Sequence, residues 1–109
     1  MQQLILIDKF IVPLNARTQF VERMNINRSF IKTLPGFIKD TVYEQIGAED
    51  EYNFVTIAVW ENEEALKNAK QAVSAYYQKQ AFNLADMLNK LNIKIDRSVY
   101  KEMENEITL

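Results

Sequence analysis

The strands of this chain read as apolar on both faces. Leu4-Ile5-Leu6-Ile7-Asp8-Lys9-Phe10-Ile11-Val12 does not alternate, and neither does Tyr52-Asn53-Phe54-Val55-Thr56-Ile57-Ala58-Val59-Trp60. A sheet with one wetted face alternates apolar and polar residues, because successive side chains point to opposite sides. Both faces of this sheet therefore need cover. The helices that the sequence offers suffice for one face. The other calls for something outside the chain, most simply a second copy, so a homodimer is expected.

The order of elements reads strand, helix, strand, strand, helix, strand. The first strand stops at Pro13. A helix is expected from about Asn15, a plausible N-cap, to Leu34, with Phe20, Val21, Met24, Ile31 and Leu34 at helical spacing. Pro35-Gly36 ends it. A second strand follows from Phe37 to Ile46. Gly47-Ala48-Glu49-Asp50-Glu51 is a hairpin connection. Asn62 can cap the next helix, with Glu63 and Glu64 in the first turn, where carboxylates suit the helix dipole. Its apolar stripe, Ala65 to Tyr76, is out of phase with Ala81 to Leu91, so a break is expected near Ser74 to Gln78. The last strand is about Ile93 to Lys101. Strand–helix–strand, twice, is the split βαβ or ferredoxin-like α+β arrangement: a four-stranded antiparallel sheet with helices on one face. One domain over residues 1–103 is expected, with a flexible acidic tail at 104–109.

Composition removes much chemistry. The chain has no cysteine and no histidine, hence no thiol nucleophile, imidazole base or Cys/His zinc site. A net charge of -2 gives no electrostatic reason to expect nucleic acid or an anionic membrane. No apolar run approaches the roughly 18 to 20 residues of a membrane span. A cytoplasmic location is the default expectation.

Three places carry a family likeness: the first strand running through Pro13 into a long helix, the corner Leu34-Pro35-Gly36-Phe37, and Val59-Trp60-Glu61-Asn62-Glu63-Glu64-Ala65. In these the chain resembles the antibiotic biosynthesis monooxygenase family of dimeric α+β barrel proteins. The resemblance implies two sheets facing each other in a dimer, with a small-molecule pocket between each sheet and its helices. Some members oxygenate aromatic polyketides or quinols without metal or flavin, so no cofactor is expected. The haem-degrading branch fits poorly. It uses an Asn on the first strand, a Trp on the second helix and a His ligand. Here Asp8 takes the first place, Trp60 ends a strand, and histidine is lacking.

Candidate site residues are polar groups on apolar faces, each with a plainer alternative. Asp8, between Leu6 and Phe10, would be a general base; otherwise it lies at the sheet edge or pairs with a nearby Lys or Arg. Asn27 and Arg28 interrupt the first helix's stripe. Arg28 would neutralise an enolate or phenolate; otherwise it snorkels at the stripe's edge. Tyr76 and Tyr77 would hold a substrate oxygen, or serve as core or dimer contacts. Trp60 would stack on a flat ligand or simply pack. Thus Asp8, Arg28 and Tyr77 are the catalytic candidates, and Asn27, Trp60 and Tyr76 the substrate-binding ones. Glu49-Asp50-Glu51 lacks the spacing of a calcium loop and reads as a solvated hairpin tip. Two functions remain open: a cofactor-independent monooxygenase acting on a small aromatic or quinol, and a dimeric small-molecule-binding protein without activity.

Overall fold

A computed structural model describes residues 2–104. The elements are β1 (Leu4–Pro13), a 3-10 turn (Leu14–Ala16), α1 (Arg17–Ile31), β2 (Phe37–Glu44), β3 (Glu51–Trp60), α2 (Glu63–Lys79), α3 (Leu84–Lys90) and β4 (Lys94–Tyr100). The strands form one open antiparallel sheet in the order β2-β3-β1-β4. This is the ferredoxin-like α+β fold that the element order implies. Of the tail expected at 104–109, the part beyond Glu104 lies outside the described residues.

The two central strands pair without a slip. Leu4 faces Trp60, Asp8 faces Thr56, and Val12 faces Tyr52. On the other side of β1, Asp8 faces Arg97. Alternation then sorts the sheet. Leu6, Asp8 and Phe10 share the helix-covered face with Thr56, Ala58 and Arg97. Ile5, Ile7 and Ile11 share the opposite face with Val55 and Ile57.

The helix boundaries differ from the sequence expectation in three places, one being the end of α1 at Ile31 rather than Leu34. Asn15 lies inside the 3-10 turn, and α1 starts after Ala16 with no side-chain cap. Pro13 supplies the change of direction instead, with φ fixed at -58°. The break expected near Ser74 to Gln78 falls slightly later: α2 runs to Lys79 and α3 starts at Leu84. The end of α2 is a Schellman motif: Phe82 N–H donates to Tyr77 C=O at 2.9 Å and Ala81 N–H to Gln78 C=O at 3.1 Å. Ala81 holds the left-handed position at φ 52°, which glycine usually takes. A second Schellman motif closes α3, with Asn92 at φ 56° and Ile93 N–H donating to Leu88 C=O at 2.9 Å.

Other signals hold as read. The Asn62 side chain accepts from Ala65 N–H at 2.8 Å and caps α2. Gly36 turns the corner into β2 at φ +81°, and a Cβ there would come within 2.4 Å of the Ala65 Cβ. Only glycine admits both the positive φ and this approach.

The core is divided. One apolar cluster gathers Val12, Ala16, Phe20, Phe54 and Ile93 at one end of the sheet. The other gathers Trp60, Leu66 and Ala69 at the far end. Between them, under the helices, lies a cavity.

Candidate functional site

The cavity has a volume of about 420 Å³ and draws walls from all four strands and all three helices. Its ends are apolar, with Phe10 and Phe20 toward one core cluster and Leu6 and Trp60 toward the other. Its middle is polar, because the middle of β1 presents Asp8.

Asp8 is 6% exposed, the one buried charged residue among those described. Arg97, opposite it in register, grips it bidentately: Nε donates to Oδ1 at 2.7 Å and Nη2 to Oδ2 at 2.8 Å. Those hydrogen bonds hold the Arg97 guanidinium above the ordinary arginine value, against the pull of burial. Each carboxylate oxygen keeps a lone pair beyond the one Arg97 occupies, so Asp8 can still accept from a ligand.

A second pair lies across the cavity. Arg28 Nε donates to Asp40 Oδ2, and Lys32 Nζ stands 3.8 Å from Asp40 Oδ1. Asn27 donates its amide N–H to the Tyr77 hydroxyl oxygen. Burial pushes the Tyr77 hydroxyl above the usual tyrosine range; the Asn27 hydrogen bond and the charges of Arg23 and Arg97 pull the other way. At neutral pH the phenol keeps its proton and is free to donate it in a hydrogen bond.

Asp8, Asn27, Arg28, Trp60 and Tyr77 all line the cavity. Tyr76 does not. A helix turns about 100° per residue, so neighbouring tyrosines face different ways. Tyr76 stacks instead on Phe30 of α1, with centroids 4.0 Å apart and planes 3° from parallel. Trp60 is 2% exposed and meets Phe37 edge-on. Glu49-Asp50-Glu51 lies at the β2–β3 connection and the start of β3, exposed at Glu49 and Asp50. Among the described residues, no three His, Cys, Asp or Glu side chains gather into a metal-binding group.

Of the charged residues that line the cavity, the sequence reading missed Arg23, Asp40, Lys70 and Arg97. Arg97 carried a signal, since Ile95 and Val99 flank it at alternate positions on one strand face. Arg23 precedes Asn27 by one helical turn, so the same interrupted stripe contains it. Asp40 became visible only through its pairing with Arg28.

The comparisons agree with this architecture. The family model for antibiotic biosynthesis monooxygenase matches residues 4–79. Among solved structures, SnoaB, a cofactor-independent oxygenase from Streptomyces nogalater, is 20% identical at a TM-score of 0.72, covering 97% of this chain and 98% of its own. A conserved protein from Methanosarcina mazei is 14% identical at a TM-score of 0.74, with 94% and 95% covered. At these identities the likeness shows the fold. No curated protein matches the chain.

Proposed function

The chain belongs to the antibiotic biosynthesis monooxygenase family, and from that premise we propose that it is a cofactor-independent monooxygenase acting on a small, electron-rich aromatic or quinol-type molecule. The observation that carries this reading is the polar band of Asp8, Arg28, Asn27 and Tyr77, joined by Arg23, Asp40 and Arg97, in a cavity whose ends are apolar. A mostly apolar pocket with a few convergent polar groups is the form that small-molecule sites take.

The chemistry follows from orientation and charge. The substrate lies in the cavity with one ring near Trp60. Asp8 removes a proton from the activated carbon, and the resulting anion is stabilised by Arg28 and the Tyr77 hydroxyl, with Asn27 fixing that hydroxyl. The anion passes one electron to O₂, and the substrate radical and superoxide combine to form a carbon–oxygen bond. The peroxide takes the proton back from Asp8. Asp8 then takes the remaining hydrogen of that carbon as a proton while the O–O bond breaks; one oxygen stays on carbon as a carbonyl, and the other leaves as hydroxide, which takes the proton from Asp8 and departs as water. The dry ends of the cavity keep bulk water from the anion.

The assembly belongs to the same proposal. A second copy covers the aliphatic face of Ile5, Ile7, Val55 and Ile57, making the dimeric barrel and burying more than the ~1,000 Å² that marks a biological interface.

One observation favours a second reading. Asp8 and Arg28 are each already matched by an opposite charge of the chain itself. That pattern suits a binding module whose charges hold the walls together. O₂ uptake with a panel of quinols and anthrones separates the two. The oxygenase reading expects consumption with matching product, at least about tenfold slower for Asp8→Asn. If no compound is oxidised, or the variant is as fast as the parent, the enzyme reading fails.

A further inference from the structure

Three guanidinium groups line the cavity, and they are not equivalent. Arg97 uses its Nε/Nη2 edge to hold both oxygens of Asp8. Arg28 has Asp40. Arg23 has no carboxylate partner among the described residues. Its Nη2 donates to Oε1 of Gln80 at 2.6 Å, and its Nε is buried with no acceptor.

The edge that Arg97 fills with a carboxylate is thus half-filled at Arg23, and by a carboxamide. An amide is the neutral counterpart of a carboxylate, and a poorer match to the charged fork. An unpaired buried N–H is costly, so the arrangement gains from any ligand that supplies the second oxygen.

The surroundings keep the group in place. The guanidinium carbon sits 3.5 Å from the centroid of Phe82 and 5.1 Å from that of Tyr77. The Schellman motif at the end of α2 folds Phe82 back to Tyr77 and brings Gln80 alongside, and the two rings meet edge-on with centroids 5.0 Å apart. Gln80 itself is exposed and can swing away. One turn further along α1, Asn27 Oδ1 is also buried without a partner. The cavity is therefore short of one anion and one hydrogen-bond donor at adjacent places.

We propose that Arg23 is the anion receptor of this cavity: it takes the carboxylate of an apolar acid through its Nε/Nη2 edge, with the ligand displacing Gln80. The inference rests on the preceding reading only in taking this cavity as the place where the substrate binds. It makes the substrate, or its product, an aromatic acid, with a hydroxyl near the carboxylate suited to Asn27 Oδ1.

Calorimetric titration with 2-naphthoate and its neutral counterpart, 2-naphthamide, tests this without any turnover, so its outcome is separate from that of the oxygen assay. The wild-type protein should bind the acid at least about tenfold more tightly than the amide. Arg23→Gln should remove that preference while leaving amide binding within about twofold. Gln80→Glu should also remove it, because the chain then fills the fork from within and Arg23 stays intact. Gln80→Ala should keep or increase it. Equal binding of acid and amide to the wild type, binding of neither, or an acid preference that survives Gln80→Glu would overturn the proposal.

Discussion

The face of the sheet beneath the helices carries Asp8, Asp40 and Arg97, whereas the central strands of the opposite face carry Ile5, Ile7, Val55 and Ile57. For a sheet working alone, this is inverted. Charges belong in water and aliphatic groups under cover. The inversion shows that the two faces answer to different demands. The covered face gives up dry packing at its middle to hold a charged cavity, and retains it at both ends. The bare face carries charge on its central strands only at Lys9 and at Glu51, where β3 begins, and is aliphatic between Ile5, Ile7, Val55 and Ile57.

The largest way to break this contrast is to exchange the two kinds of face. Ile57→Asp puts a charge on the aliphatic band. If a second sheet covers that band, the unpaired buried charge costs about 3 to 5 kcal/mol. Light scattering should then show loss of a dimer twice the 12.8 kDa chain mass. A variant that stays dimeric, or a parent that is monomeric at micromolar concentration, removes the argument for a covered second face.

A smaller effect comes from the covered side. Gly36→Ala brings a Cβ against Ala65 at a backbone angle that favours glycine. It should lower stability by about 2 to 3 kcal/mol, from roughly equal parts of strain and clash. Chemical denaturation measures this, and an unchanged midpoint would mean that the α1–β2 corner does not set the height of the helices over the sheet.

Asp8→Asn sharpens the contrast by removing a charge without changing shape. Turnover should fall by about tenfold, some 1.4 kcal/mol. The fold should lose less than turnover does: asparagine keeps one of the two acceptors that Arg97 uses and sets its NH2 against the other donor, but the Arg97 side chain is 48% exposed and keeps much of its hydration. Comparing kcat with the thermal midpoint separates the two roles.

The next prediction is a gain. Ala81 holds a left-handed position in the α2 Schellman motif. Ala81→Gly should raise stability by about 1 kcal/mol, visible as an increase of a few degrees in Tm.

The smallest effect is optical. Burial raises the Tyr77 hydroxyl above the ordinary tyrosine value. The ionised phenol is thus disfavoured in the fold, and the contribution to stability is intact below the unfolded value and lost as pH climbs through the folded one. In an ultraviolet titration, one of the five tyrosines should ionise after the rest. Its absence from Tyr77→Phe would identify it.

The sequence disclosed what is local and what is periodic. Two unalternating strands called for cover on both faces, of which the helices supply one. Leu34-Pro35-Gly36-Phe37 marked a corner, and Asn62 with its acidic followers marked a cap, because each of these motifs is complete within a few residues. Asn27, Arg28 and Tyr77 were legible as polar groups in apolar stripes. Asp40 was not, and Arg97 showed only as a charge between Ile95 and Val99; that each has a partner was hidden, since a partner across a sheet depends on register, which neither strand encodes alone. The end of α2 escaped notice because alanine occupies a place where glycine would have shown it. Tyr76 and Tyr77 stand about 100° apart around α2, yet the sequence did not say which of the two faces the cavity.

Asp8 and Arg97 are separated by 89 residues along the chain. Closing so long a loop costs on the order of 4 kcal/mol in chain entropy, repaid only when β4 seats against β1. A nascent chain leaving the ribosome presents Asp8 long before Arg97 is made. Until then the carboxylate has no guanidinium to hold it, and the cavity lacks a wall. The molecule therefore cannot acquire its charged cavity piecemeal. The site is withheld from a half-made chain and arrives with the last strand.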